Sequence, residues 1–180
     1  MDGTDLMVSA LAGAMQARHY GKYRGQVASN VDAANRGRLQ VSVPALLGDQ
    51  LVWAMPCVPY AGNGVGLFAL PPVGAGVWVE FEGGDLDYPI WTGCFWADGE
   101  ISPATDAAPE VKFWKTDAVS VRIDDGAGEI VIETQGGAKL TISATEIKAE
   151  ASTVVQKALG NQTQLSAGGF DVNNGAFTVI

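Results

Sequence analysis

The sequence predicts a mainly β protein in which a short N-terminal helix precedes a five-stranded barrel and a second, narrower β region follows. From Tyr23 onward, short apolar runs are separated by Gly, Pro, Asn and Asp, which is typical of strands joined by turns. Within several runs apolar and polar residues alternate, as they do in strands with one buried face. After residue 117, such runs follow one another at short intervals up to the C-terminus.

Composition and charge limit the classes of function. Hydrophobic residues make up 47% of the chain and charged residues 17%, so the chain is expected to fold and bury apolar surface. Twenty acidic residues against 11 basic ones give a formal net charge of -9, which repels phosphate backbones, and nucleic acid is not expected as a partner. The N-terminus carries acids where a secretory signal carries bases, so we expect assembly in the cytoplasm.

Residues 1–22 predict an amphipathic helix and a docking segment. Apolar residues recur there at three- and four-residue spacing. The stripe precedes a barrel that is complete without it. An apolar stripe left exposed in this way is typical of a helix that binds in a groove of a partner protein. Its predicted docking residues are Leu6, Met7, Leu11 and Met15.

Residues 23–96 predict five strands, in the runs RGQVASN, GRLQVSV, LVWAMPCV, VWVEFE and PIWTGCFW. The strand count and the long Gly-rich connection between the third and fourth strands favour a five-stranded Greek-key barrel of the OB type. An antiparallel sandwich remains the alternative. Residues 97–117 lose the alternation and gain Pro, Ala and Asp, so they are interpreted as a surface linker.

Residues 118–180 predict very short strands, in the runs VSVRID, EIVIET, KLTIS, EIKAE, TVVQKA and TQLS. A narrow sheet with one apolar face and no helix to cover it is marginal in water. We therefore expect three copies to wind around one axis, which covers the face and closes the sheet edges. The residues predicted to face that axis are Val119, Val121, Ile123, Ile130, Ile132, Leu140, Ile142 and Ile147.

Candidate chemical sites are few. His19 is the only histidine, so a catalytic triad would depend on it, and no catalysis is expected. GNGVG at 62–66 lacks a following helix and is interpreted as a loop, and DDGAGE at 124–129 as a β-turn without a calcium site. Cys57 and Cys94 are predicted to be buried thiols. Packing roles are predicted for Trp53, Trp78, Trp91 and Trp96.

Residues 23–96 also carry an ordered set of motifs: RGQVASNVDAANRGRLQVSVP, LVWAMPCVPYAGNGVG and LPPVGAGVWVEFEGGDLDYPIWTG. In this set the chain resembles phage baseplate assembly protein V and the valine-glycine-repeat spikes of type VI secretion, the central spikes of contractile injection machines. The resemblance implies that Pro72, Val73, Gly74 and Gly76 turn into the fourth strand, and that Gly83, Gly84 and Asp85 turn between the fourth and fifth.

The resemblance implies a homotrimer whose C-terminal part is an intertwined β-helix. It implies a structural role in a phage virion baseplate or injection particle assembled in a bacterial cytoplasm. The implied partners are a hub protein and tail-tube or wedge proteins, with transient contact to the target envelope. The valine-glycine octad is not visible, and no His-x-His pair exists for a tip metal, so no cofactor or metal is expected.

An apolar tip formed by Phe177, Val179 and Ile180 is expected to bind a separate cap, similar to the proline-alanine-alanine-arginine repeat protein of type VI spikes. Two alternative functions remain open from the sequence. One is an OB-type module that binds oligonucleotide or oligosaccharide, and the other is a trimeric adhesin shaft.

Overall fold

The computed structural model describes residues 3–16, 18–101 and 108–180, and within the N-terminal helix the side chains of residues 3–8 and 13 only. The chain divides into two compact units, Met1–Gly99 and Glu100–Ile180. Neither helix of the described residues has the length and apolar character needed to span a bilayer.

The first unit contains the N-terminal helix and the strands of the predicted barrel. Its elements are α1 Gly3–Gln16, β1 Tyr23–Ser29, β2 Leu39–Ser42, α2 Pro44–Leu47, β3 Leu51–Pro56, β4 Ala61–Gly62, β5 Val65–Gly66, β6 Gly76–Phe81 and β7 Pro89–Phe95. The five longer strands close into a barrel in the order β1-β2-β3-β7-β6. All neighbours are antiparallel except β3 and β7, which pair in parallel through Met55 with Ile90 and Pro56 with Trp91. This closed five-stranded barrel confirms the OB prediction and excludes the open sandwich.

The barrel is closed around a small apolar core because alternate residues of its strands point inward. In β6, Val77, Val79 and Phe81 are buried, whereas Trp78 and Glu80 between them are only half-buried. The full core consists of Val27, Leu39, Val41, Val43, Ala54, Val77, Val79, Phe81 and Trp91.

A tight turn between β6 and β7 anchors the segment that follows α1. The backbone carbonyl of Gly84 accepts a hydrogen bond of 2.8 Å from the amide of His19. Arg18 forms an ion pair with Asp85 at 3.0 Å. Gly84 has φ +76, and a Cβ there would lie 2.9 Å from the amide nitrogen of His19, so this position requires glycine.

The second unit consists of two antiparallel meanders. The first contains β8 Val111–Lys115, β9 Val119–Asp124, β10 Glu129–Thr134, β11 Lys139–Ile142 and β12 Ile147–Glu150. The second contains β13 Thr153–Ala158, β14 Asn161–Ser166, β15 Gly169–Val172 and β16 Phe177–Val179. The structure therefore contains strands throughout the region in which a trimeric β-helix is predicted. That these strands wind around those of two further copies stays a prediction.

Strand β8 lies within the segment that was interpreted as a linker. The Pro, Ala and Asp that suggested a linker lie before it, whereas Val111 and Phe113 alternate with Lys112 to form a short strand. β8 pairs with β9 through five residue pairs, so the sheet begins earlier than position 118.

Candidate assembly surfaces

The first meander presents one strongly apolar face. Strand pairing places Ile132 opposite Val121 and Leu140, and Ile130 opposite Ile123 and Ile142. Ile147 continues the second row through its pairing with Ile142. Because residues directly opposite each other share a face of an antiparallel sheet, the eight residues predicted to face an axis do lie on one side of the sheet. That this side forms the trimer interface stays a prediction.

This face is left uncovered by the chain that carries it. Ile132 is 37% exposed and Ile147 is 76% exposed, although both are large aliphatic residues. Among the described residues, none of the second unit is buried, and the core residues of the chain all lie in the barrel. An apolar sheet face of this extent requires cover from outside the chain.

Trp114 extends the apolar face and was missed in the sequence. It pairs with Val121 across β8 and β9 and is 60% exposed. The signal was the alternation of VKFWK, which the interpretation of the surrounding residues as a linker concealed.

The opposite face of the first meander is charged. Arg122 pairs with Asp124 at 2.8 Å, and Lys148 pairs with Glu150 at 2.8 Å. The amide of Ala127, more than the Arg122 guanidinium, lowers the pKa of Asp124 by donating a hydrogen bond to its carboxylate. DDGAGE thus forms the predicted turn between β9 and β10, held by this hydrogen bond. Its charged groups make this face the better suited of the two to contact water.

The second meander also has an apolar face, and it includes two of the residues predicted to form the tip. Val179 pairs with Phe170, which in turn pairs with Leu165. Phe177 pairs with Val172 on the same face. Phe177 and Val179 are 58% and 52% exposed, whereas the terminal Ile180 is fully exposed beyond the last strand.

Helix α1 exposes apolar side chains at its N-terminal end. Leu6 and Met7, two of the predicted docking residues, are 62% and 73% exposed. The side chains of the other two, Leu11 and Met15, lie outside the described residues. The hub-docking role of the helix stays a prediction.

The loop between β1 and β2 holds a buried carboxylate that organises an arginine and a tryptophan. The side chain of Asp32 is only 3% exposed and forms an ion pair of 2.7 Å with Arg38. It also accepts hydrogen bonds from the amides of Ala34 and Arg36. The Arg38 hydrogen bond holds the pKa of Asp32 far below its usual range. The Arg38 guanidinium lies 5.1 Å from the centroid of the Trp53 ring, on the outer surface of β3.

The four predicted packing tryptophans have different surroundings. Trp91 is 5% exposed in the core, and its indole nitrogen donates a hydrogen bond of 3.2 Å to the carbonyl of Gly37. Trp78 is half-buried and contacts the Phe95 ring at a centroid distance of 4.9 Å. Trp53 and Trp96 are 36% and 62% exposed, so only the first two pack as expected within one chain.

The Gly-rich segment between β3 and β6 forms a hairpin where a loop was predicted. Strands β4 and β5 pair through Ala61 with Gly66 and Gly62 with Val65, with Asn63 and Gly64 in the turn. Around it, Tyr60, Leu67 and Phe68 are 59%, 47% and 76% exposed. Between this hairpin and the β1–β2 loop lies an open cavity of about 350 Å³ whose floor includes Val58 and Trp91.

The prediction that both cysteines are buried is wrong, because Cys57 and Cys94 are exposed. Cys57 follows the last residue of β3 and so lies outside the regular strand. Cys94 lies within β7, in the apolar run from which burial was predicted, but such a run does not show which of its residues face the core. Partial desolvation still raises the pKa of the Cys94 thiol. In the described part of the chain, no three His, Cys, Asp or Glu residues cluster in a way that could hold a metal ion.

Two family descriptions match the chain over its two structural units. Residues 23–96 match the type VI secretion system/phage-baseplate injector OB domain, and residues 110–178 match the phage baseplate V C-terminal trimerisation domain. No curated protein matches the chain. The first match coincides with the closed barrel and the second with the two meanders whose apolar faces are uncovered. Since the two matches leave only residues 1–22, 97–109 and 179–180 outside, the chain belongs to the phage baseplate V family of structural baseplate proteins.

Proposed function

We propose that this protein is the central spike of a contractile tail or injection-system baseplate. In this role a homotrimer docks on the hub under the tail tube and is driven through the target envelope when the sheath contracts. The observation that carries the proposal is the uncovered apolar face of the first meander, in a unit that matches a trimerisation domain and in which no described residue is buried.

Three copies around one axis cover the apolar faces and the strand edges that a single chain leaves exposed. The apolar faces turn toward the axis, and the charged faces carrying Arg122 and Lys148 turn toward water. The edge strands β8 and β12 then lie beside neighbouring copies, which protects their unpaired backbone groups. A rod built in this way resists bending, because each strand is held by neighbours from other chains.

The oligomeric state tests this step directly. Light scattering on the purified full-length protein should give about three times the chain mass of 18.7 kDa. A stable, folded monomer would show that the apolar faces are not used in self-assembly. That result would refute the proposed function.

We assign hub docking to helix α1. Its exposed residues Leu6 and Met7 form the start of an apolar stripe, and the segment after the helix is anchored to the barrel by Gly84 and Asp85. The double variant Leu6→Asp and Met7→Asp should leave the trimer intact and lose co-purification of the hub. Val8→Asp is the matched control, because Val8 is similarly exposed at 64% but lies outside the stripe.

The family match supports the remaining parts of the proposed role. Assembly takes place in the bacterial cytoplasm together with hub and tail-tube or wedge proteins, and the protein acts mechanically without catalysis. A separate cap with a conical shape completes the tip around Ile180. Particles assembled without this chain should lack the axial density below the tube in electron micrographs, and particles of normal appearance and infectivity would refute the assignment.

A further inference from the structure

The barrel exposes two clusters of large apolar side chains. The first is the outer row of β3, formed by Leu51, Trp53 and Met55, which are 45%, 36% and 36% exposed. We call it the β3 platform. The second consists of Tyr60, Val65, Leu67 and Phe68 on and beside the β4–β5 hairpin, and we call it the hairpin knob. The other large apolar side chains exposed on the described barrel surface are Tyr20, Val31, Val73, Tyr88 and Trp96.

The β3 platform has a fixed geometry. Arg38 lies over the Trp53 ring, and its guanidinium is held in turn by the buried carboxylate of Asp32. The stack therefore needs little side-chain ordering when a partner binds. Pre-organised Trp and Arg side chains bordered by polar residues are typical of the residues that dominate binding energy at protein interfaces. Gln40 and Ser42, opposite Trp53 and Leu51 on β2, provide such a polar border.

The hairpin knob is formed by the chain segment that connects β3 and β6. It comprises two short strands and the Asn63–Gly64 turn, and Phe68 beside it is 76% exposed. This apolar hairpin and the apolar row of β3 are two different surfaces on one barrel. A ring with three-fold symmetry needs this arrangement, because each contact in such a ring joins two different patches and uses both patches of every copy.

We infer that, in the trimer, the hairpin knob of each barrel packs on the β3 platform of the neighbouring copy. This inference rests on the trimer of the proposed function. Residues 96–109 separate β7 from the trimerisation domain, and a segment of this length spans at most about 50 Å. Three barrels tethered this closely have effective concentrations of about millimolar toward one another, so a contact of modest intrinsic affinity is occupied.

The first test is hydroxyl-radical labelling of the full-length trimer, with its mass checked by light scattering. The side chains of Tyr20 and Tyr88, at 68% and 61% exposure, serve as internal references for Tyr60 and Phe68. We expect labelling of Tyr60 and Phe68 to be several-fold below that of the references in the trimer without any hub protein. Equal labelling of all four in a trimer of correct mass would overturn the barrel contact while leaving the proposed function intact. A monomer would overturn both.

The pairing of the two patches is tested separately by crosslinking. With Cys57 and Cys94 replaced by serine, Gln40→Cys marks the border of the platform and Asn63→Cys marks the hairpin turn. The double variant should form covalent dimers and trimers under oxidation, whereas each single-cysteine variant should run as a monomer on a denaturing gel. Crosslinking in a single-cysteine variant, or none in the double variant, would contradict the head-to-tail contact.

A third test measures whether a substitution in the β3 platform changes the labelling of the hairpin knob. Trp53→Ala should increase labelling of Phe68 several-fold in the trimer, because the surface that covers Phe68 belongs to the neighbouring copy. Tyr88→Ala removes an exposed aromatic ring elsewhere on the barrel and should leave Phe68 unchanged. Unchanged Phe68 labelling in Trp53→Ala would show that the platform does not receive the knob.

Discussion

The substitution Ile132→Asp tests whether the apolar face of the first meander lies on the trimer axis. Ile132 occupies the middle strand of this sheet, opposite Val121 and Leu140, and keeps 37% of its surface exposed in a single chain. In a trimer wound about this face, three copies of the side chain lie near one another and away from water. Asp at this position therefore places three carboxylates in the interface.

The expected cost follows from two contributions. Burial of a whole isoleucine side chain contributes about 1.5–3 kcal/mol, so burial of the exposed third contributes about 0.5–1 kcal/mol per chain, which the variant loses. An unpaired buried charge costs about 3–5 kcal/mol per chain. Three chains together lose roughly 10–18 kcal/mol. Because about 1.4 kcal/mol is a tenfold change in affinity, the trimer should not form at micromolar concentration.

Val131→Asp is the matched control. Val131 is the preceding residue of the same strand, but it lies on the opposite face between Arg122 and Thr141. It is less exposed than Ile132 in one chain, so in an isolated monomer Val131→Asp would be at least as harmful as Ile132→Asp. In the trimer the order reverses, because Val131 faces water and its substitute carboxylate has Arg122 beside it.

Light scattering and thermal unfolding show which of the two substitutions is the more harmful, and therefore whether the face of Ile132 is covered in a trimer. We expect Ile132→Asp to give monomers or aggregates and Val131→Asp to give a trimer that unfolds close to the parent temperature. A soluble Ile132→Asp trimer of normal stability would show that this face is not on the axis. Equal loss of the trimer in both variants would show that the sheet itself, and not its inner face, was damaged.

Three further predictions concern the barrel. Leu39→Ala empties a fully buried core position and should lower the free energy of unfolding by about 2–5 kcal/mol in chemical denaturation, with full retention of stability as the contradicting result. Gly84→Ala should destabilise the barrel and speed hydrogen exchange of the His19 amide more than Gly83→Ala does. Both positions carry a positive φ, which costs about 1–2 kcal/mol for alanine, but only at Gly84 does the new Cβ meet the His19 backbone; equal effects would refute the anchoring role. Asp32 has a lowered pKa in the folded state, so its contribution to stability is present above the unfolded-state pKa of about 3.9 and is lost as the pH falls below it. Asp32→Asn should therefore lower the melting temperature at pH 7 and reduce its fall below pH 4, and an unchanged pH profile would contradict this.

The strands with one buried face could be predicted from the sequence because their alternation is regular. In β6 burial alternates without interruption, and in β9 Val119, Val121 and Ile123 alternate with Ser120 and Arg122, so the face of each strand follows from the sequence. β8 was missed because its five residues follow a stretch rich in Pro, Ala and Asp. Averaged over the whole segment, the composition predicts a linker and hides the short strand at its end. The exposure of Cys94 could not be predicted from its place in an apolar run, because such a run does not show which of its residues face the core.

The assembly surfaces were predictable to different degrees for the same reason. The apolar face of the first meander follows from local alternation, and its eight residues were found. The Asp32–Arg38–Trp53 stack joins a loop to a strand, and the hairpin knob depends on a turn within a segment that was interpreted as a simple loop. Neither has a periodic signal, so each appears only when the strands are arranged in the barrel.

The C-terminal residues predicted to bind a tip cap divide into two groups in the structure. Phe177 and Val179 belong to edge strand β16 and share a face with Phe170 and Val172, so their position favours burial between copies of the chain. Ile180 lies beyond the strand and is fully exposed. Removal of residues 176–180 would therefore delete a strand along with the tip, and single substitutions are the sharper test.

Ile180→Asp should leave the trimer mass and melting temperature unchanged but abolish co-purification of the cap, because only the exposed apolar end is altered. Phe177→Asp should instead weaken the trimer, since it places a charge on the apolar face of the second meander. Co-purification and light scattering on both variants separate the two roles. If Ile180→Asp retains the cap while Phe177→Asp loses it from an intact trimer, then the cap binds the sheet face of β16 and the trimer interface ends before this strand.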